Sequence, residues 1–214
     1  MFVPSHYREP DSSWMLELIC SNPLAMLVSN GNEADGPFAT HLPVIPEPGA
    51  NPQWQPNLAG AKLLGHLNRA NPHWAALETG AVALLTFTGP HAYVSPTVYE
   101  TTPAAPTWNF TSVHAHCVLE KIDSLEDTLD VVQHTVRTFE GAFGAGWDMS
   151  ESLDYFRRIV PAVGAFKATV TRAEGMFKLS QEQPPDVFDR VQCSFAGRES
   201  NRHRETARLM SKLP

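Results

Sequence analysis

Gly65-His66-Leu67-Asn68-Arg69-Ala70-Asn71-Pro72-His73-Trp74 is the stretch around which the rest of the chain can be arranged. It closes an alternating segment with Lys62, Leu64, His66 and Asn68 on one face and Leu63, Gly65 and Leu67 on the other, the pattern of a strand. Asn71-Pro72 then biases the backbone away from helix and lets a new helix begin with Pro72 in its first turn, which predicts a short helix over 72–77. A helix start exposes backbone amides, and Arg69 adds a planar two-pronged donor. The turn is therefore a candidate anion site of the kind a terminal phosphate fits. Trp74 could cover a flat ring beside it. The same residues also read as a polar loop in which Trp74 caps the core.

Upstream, Asp11 or Ser12 can cap a helix over 11–22 that puts Trp14, Met15, Leu18 and Ile19 on one face, and Pro23 stops it. Residues 24–29 and 38–45 read as a hairpin around the Asn- and Gly-rich turn that begins at Asn30-Gly31, and 46–56 as a long exposed loop. Downstream, 81–88 is apolar at nearly every position, which predicts a strand covered on both faces; 91–96 is a further extended piece and 97–106 a loop. Residues 109–120 alternate, with Val113, Ala115, Cys117 and Leu119 opposite Ser112, His114 and His116. His114 and His116 project to one side, yet no third ligand accompanies them, so no metal site is assigned. Ser124 and Asp127 form a capping signature ahead of a helical stripe of Leu125, Leu129, Val132, Val136 and Phe139. A glycine-rich loop over 141–146, a helix over 152–160, a strand over 165–171 and a helix over 186–195 follow. Arg198, Arg202, Arg204, Arg208 and Lys212 mark a basic C-terminal helix or tail at 196–214.

The 214 residues, 43% of them hydrophobic, suffice for one well-buried domain with a short extension. A formal net charge of −7 argues against a surface built to neutralise many phosphates, so direct DNA binding would need a local patch or a partner. Cys20, Cys117 and Cys193 contain no C-x-x-C pair and read as reduced, buried thiols. With no signal-like opening and no long apolar run, the expectation is a cytoplasmic protein that does not enter membranes. Short strands separated by turn signals predict an antiparallel barrel with peripheral helices.

Four further clusters accompany the opening stretch: Phe38-Ala39-Thr40-His41-Leu42-Pro43, Gly89-Pro90-His91-Ala92-Tyr93-Val94-Ser95-Pro96, Pro106-Thr107-Trp108-Asn109, and Gly175-Met176-Phe177-Lys178-Leu179-Ser180-Gln181. Together and in order they resemble the PaiB-like family of FMN-binding proteins, described as negative transcriptional regulators, from Met1 to about Val191. The resemblance implies a mainly β, α+β fold: an antiparallel split β-barrel of the FMN-binding type with peripheral helices, occupying 1–195. It implies FMN as cofactor and a homodimer with flavin sites at the interface. Arg69, with backbone help near Asn71 and with Lys178, is the choice for the phosphate, and Ser180 is a further cofactor-binding candidate. Thr40, His41 and His66 are candidates for ribityl or ring oxygens. Trp74 and Trp108 are candidates for packing on the ring, with Trp108-Asn109 reaching over from the second subunit. Glu182 stands where the family usually has Asn, which places a negative charge next to this motif. The implied function is flavin-dependent negative regulation of transcription. The alternatives are an FMN-dependent oxidoreductase, either a flavin reductase or an oxidase of the pyridoxamine-phosphate type, and a remodelled pocket for a ligand such as haem using His66, His91 or His114.

Overall fold

In the computed structural model, residues 1–31, 36–49 and 57–214 are described. Asp11 accepts a bond from the Ser13 amide at 2.7 Å and starts helix α1 (Ser12–Ser21), which buries Met15, Leu18 and Ile19. Strand β1 (Leu24–Ser29) pairs antiparallel with β2 (Phe38–Pro46) in the register Leu24↔Pro43 to Ser29↔Phe38. Residues 32–35 of the expected hairpin turn and 50–56 of the expected loop lie outside the described residues. Next come β3 (Lys62–Asn68), the short helix α2 (Pro72–Ala76), β4 (Val82–Val94), β5 (Thr107–Ile122), α3 (Leu125–Ala142), α4 (Leu153–Ile159), β6 (Val163–Lys178), α5 (Pro185–Ala196) and α6 (Asn201–Met210). The six strands close an antiparallel barrel in the order β1-β2-β3-β6-β5-β4.

The chain divides into two compact units, residues 1–22, 88–114 and 174–214 in the first and residues 23–87 and 115–173 in the second. In the second unit, Leu63, Leu67, Leu85, Phe87, Phe166 and Ala168 are buried between the strands. On the opposite face of β3, Leu64 packs with Ile45, Val131 and Ala165 beneath α3. In the first unit, Trp14 meets Phe177 edge-on at 5.4 Å. α6 is a formed helix that buries Thr206, Ala207 and Met210, where the sequence left a helix and a loose tail equally open.

Two strands run well past the lengths the sequence suggests. β4 runs unbroken through Gly89-Pro90, joining the two pieces expected at 81–88 and 91–96, and β6 continues past Thr171 to Lys178. In both, the buried positions change parity partway, at Pro90-His91 and at Thr171-Arg172, as an extra residue in a strand does. Strict alternation, read along the chain, breaks into two short strands at each such point. Gly89 allows its strand to pass close to a neighbour, since a Cβ there would collide with the Thr111 hydroxyl.

The buried line of α3 is also rotated from the expected stripe. Thr128, Val131 and Thr135 face inward, while Leu125 is 49% exposed. The Thr135 hydroxyl is satisfied by donating to the Val131 carbonyl at 2.8 Å, while the buried Thr128 hydroxyl has no hydrogen-bond partner among the described residues. Of the three cysteines only Cys117 is buried; Cys20 and Cys193 are exposed, contrary to the expectation that all three are internal.

Candidate functional site

The turn from Asn68 to Trp74 lies in the second unit, and its backbone amides are bonded. The Arg69 amide donates to the Ala162 carbonyl, Ala70 to the Asn68 side chain, Asn71 to the Asn68 carbonyl, His73 to the Asn71 side chain and Trp74 to the Asn71 carbonyl. Pro72 has no N–H. The expected array of free amides for an anion is therefore absent from this turn: Ala162 has taken one, and Asn68 and Asn71, both short side chains suited to bonding nearby backbone, have taken the rest. What remains open is side-chain chemistry.

Arg69 Nε donates to the Val163 carbonyl at 2.8 Å, which anchors the guanidinium and leaves its two terminal nitrogens without a partner among the described residues. The guanidinium lies 5.5 Å from the centre of the Trp74 ring, and Lys121 Nζ lies 4.5 Å from it. Two cations thus converge on one indole. Trp74 itself is buried and packs on Gly164 of β6. Lys121 was not among the sequence candidates. Its signal was parity, since it follows Val113, Ala115, Cys117 and Leu119 on the odd-numbered face of β5.

Thr40 and Asn71 are brought together by His73 and Ser29. Asn71 Nδ2 donates to Thr40 Oγ1 at 3.3 Å, His73 Nδ1 bonds the same hydroxyl at 2.9 Å, and His73 Nε2 bonds Ser29 Oγ at 2.9 Å. Phe38 stacks on His73 at 5.2 Å. His73 is 1% exposed, and burial holds its pKa below the usual histidine range. One neutral imidazole with one donor and one acceptor satisfies both hydroxyls. His41, next along β2, points to the other face and is exposed. His66 is half-buried on β3, its pKa lowered by burial, and its Nδ1 has no hydrogen-bond partner.

The other four candidates lie in the first unit. Asn109 is wholly buried and exchanges two bonds with Ser180, at 2.8 and 3.1 Å, both within one chain. Ser180 holds a left-handed backbone (φ 66°), stabilised by Gln181, whose side chain bonds the Leu179 amide and the Phe177 carbonyl. Lys178 Nζ donates to the Thr107 hydroxyl and lies over the Tyr7 ring. Glu182 faces Tyr7; burial, reinforced by that carboxylate, pushes the Tyr7 hydroxyl up to about 12. The exposed indole of Trp108 donates to His91 Nδ1 at 3.2 Å and neighbours Tyr93, giving an open aromatic patch. No group of three His, Cys, Asp or Glu side chains in metal-binding geometry occurs among the described residues.

A family model described as "Putative FMN-binding domain" matches residues 1–172. The chain belongs to this family. FMN is the cofactor that membership assigns, and the donor set around Trp74 fits one end of it: two cations suit a phosphate dianion. His66 is not part of that set, because it pairs with Ala165 and so lies on the face of β3 opposite Leu67, Gly164 and the Trp74 ring. Family membership also agrees with the closed barrel. Among curated relatives, the Bacillus subtilis protease synthase and sporulation protein PAI 2 is 25% identical, covering 98% of this chain and 96% of that protein. Among solved structures, the FAD and heme binding protein of Mycobacterium smegmatis superposes with a TM-score of 0.58 at 15% identity, covering 87% of this chain and 80% of that one. A flavocytochrome of Azotobacter vinelandii gives 0.53 at 16% identity, covering 80% and 69%. At these identities the family member and its structural neighbours share a fold. No helix of the described residues is long and apolar enough to cross a membrane.

Proposed function

We propose that this FMN-binding protein is a flavin-dependent negative regulator of transcription, acting as a homodimer in which Arg69 and Lys121 hold the FMN phosphate. The observation that carries the regulatory reading is the correspondence with the Bacillus subtilis protein named for protease synthesis and sporulation. It spans 98% of the chain and so includes the C-terminal helices beyond residue 172. For the phosphate, the carrying observation is the pair of cations over Trp74, one of them with both terminal nitrogens open. Thr40 and Asn71 then act as the frame that fixes Arg69's turn. Trp108, exposed beside Tyr93 and His91, is the aromatic surface offered to a second copy of the chain.

FMN titration by quenching of flavin fluorescence tests the phosphate assignment. Loss of a charge-assisted bond is worth about 1.5–3 kcal/mol, so Arg69→Ala and Lys121→Ala each weaken FMN about 10- to 150-fold. Unchanged affinity in both removes these residues from the phosphate role. The regulatory reading is tested by binding to the promoter DNA of the chain's own gene across a salt series. Arg204 is committed to the carbonyls of Arg198 and Glu199, so Arg202→Ala is the informative variant, and it lowers both affinity and salt slope. No salt-sensitive DNA binding, together with steady oxidation of added NAD(P)H by the FMN-loaded protein, would replace this reading with the oxidoreductase one.

A further inference from the structure

The first unit contains a cavity that the flavin reading leaves unused. It has a volume of about 360 Å³ and opens between α1 and the C-terminal helix α6. Trp14, Leu18, Pro90 and Leu209 give it apolar walls. That volume sits at the lower end of the roughly 300–1,000 Å³ typical of small-molecule pockets, which limits an occupant to one or two rings. Four charged side chains line it: two acids, Glu17 and Glu205, and two bases, Arg208 and Lys212. They are not equivalent. Lys212 Nζ and Glu17 Oε1 pair at 2.6 Å, which ties the end of the chain to α1 and neutralises both. Glu205 and Arg208, three residues apart on the exposed side of α6, make no ion pair among the described residues.

The pocket therefore presents an aromatic and aliphatic wall, one uncommitted cation and one uncommitted anion, with no net charge. An anionic ring compound would leave Glu205 facing a carboxylate, and a cationic one would leave Arg208 facing an ammonium. A zwitterion satisfies both. We infer that this cavity binds an aromatic α-amino acid or a close analogue, its ring against Trp14, its carboxylate on Arg208 and its ammonium on Glu205. The basic residues of the C-terminal helix thereby acquire a use separate from nucleic acid: Arg204 closes the preceding turn, Lys212 fastens the helix to α1, and Arg208 faces a ligand.

The test is saturation-transfer NMR on the full chain with L-phenylalanine, L-tryptophan, phenylacetate and phenethylamine at millimolar concentration. Both side chains to be changed are exposed, so the variants keep the fold, and thermal melting verifies this. The expected result is that the two amino acids bind more tightly than phenylacetate or phenethylamine. Arg208→Gln weakens both amino acids at least tenfold, the loss of one charge-assisted bond. Glu205→Gln weakens the amino acids but tightens phenylacetate, because the repelling carboxylate is gone. Absence of binding by all four probes overturns the inference. So does equal binding of phenylacetate and the amino acids, or affinity unchanged by both substitutions.

Discussion

Gly164→Ala gives a sharp check on the corner where the two cations meet. Gly164 sits in β6 opposite Leu67, and a Cβ built on it lies 2.5 Å from Cδ2 and Cε2 of Trp74 and 2.7 Å from Cε3. Those distances are about an ångström inside ordinary carbon contact, and the neighbour is the body of a buried ring. The indole cannot yield by a small torsion. Overpacking of this kind costs about 1–3 kcal/mol. For a chain of this length each kcal/mol lowers the melting midpoint by roughly 2–4 °C, so the variant should melt roughly 2–12 °C below the parent. Calorimetry or circular dichroism measures this. The decisive comparison is with Trp74→Leu: once the indole is removed, adding Gly164→Ala should cost almost nothing further, giving a coupling above about 1 kcal/mol. A Gly164→Ala protein that melts with the parent, or that loses the same amount in both backgrounds, would refute the seating of Trp74 on this glycine. Because the ring carries Arg69 and Lys121, the same substitution should loosen FMN as well.

Ser180→Ala removes the hydroxyl that pairs with the fully buried Asn109 amide and should cost about 1–3 kcal/mol in urea unfolding; a variant as stable as the parent would contradict the Asn109–Ser180 exchange. Burial depresses the pKa of His66 and His73, so folding holds both neutral while the unfolded chain takes up protons below its own value near 6.5. Stability should hold above that pH and fall as pH drops towards 5, and His66→Leu should flatten the decline; an unchanged slope would show that His66 does not titrate on unfolding. Under native conditions a thiol reagent should label Cys193 first, Cys20 more slowly because burial raises its thiol pKa, and Cys117 only after denaturation, since burial pushes that thiol up to about 12; prompt labelling of all three would count against the enclosure of Cys117.

The barrel was legible because most strands alternate and because five separate motifs occur in order. Val113, Ala115, Cys117 and Leu119 are buried as their parity requires, and Leu63, Gly65 and Leu67 likewise. Strand length was not legible at Pro90-His91 or Thr171-Arg172, because a change of parity looks the same as an interruption when no partner strand is in view. The buried face of α3 departs from the apolar stripe because it includes Thr128 and Thr135, and a helical threonine can bond its own backbone, as Thr135 does. At the turn after β3, the sequence identified a crowded corner but not the allocation of its donors. Asn71 as a cap and Thr40 as its support depend on His73 and Ser29, which lie far apart in the chain. Parity along β5 puts Lys121 on the inward face, but its meeting with Trp74, far earlier in the chain, has no local signal.

None of the amides from Arg69 to Trp74 is left over for a ligand, and this separates scaffold from reagent. The turn's shape is set by two asparagines and a proline, none of which has to touch a ligand, while the affinity of the corner rests on the tips of Arg69 and Lys121. Such a corner can be retuned one side chain at a time without refolding the loop. Descendants of one ancestral barrel could thus change the charge or size of what they hold there and inherit the architecture intact.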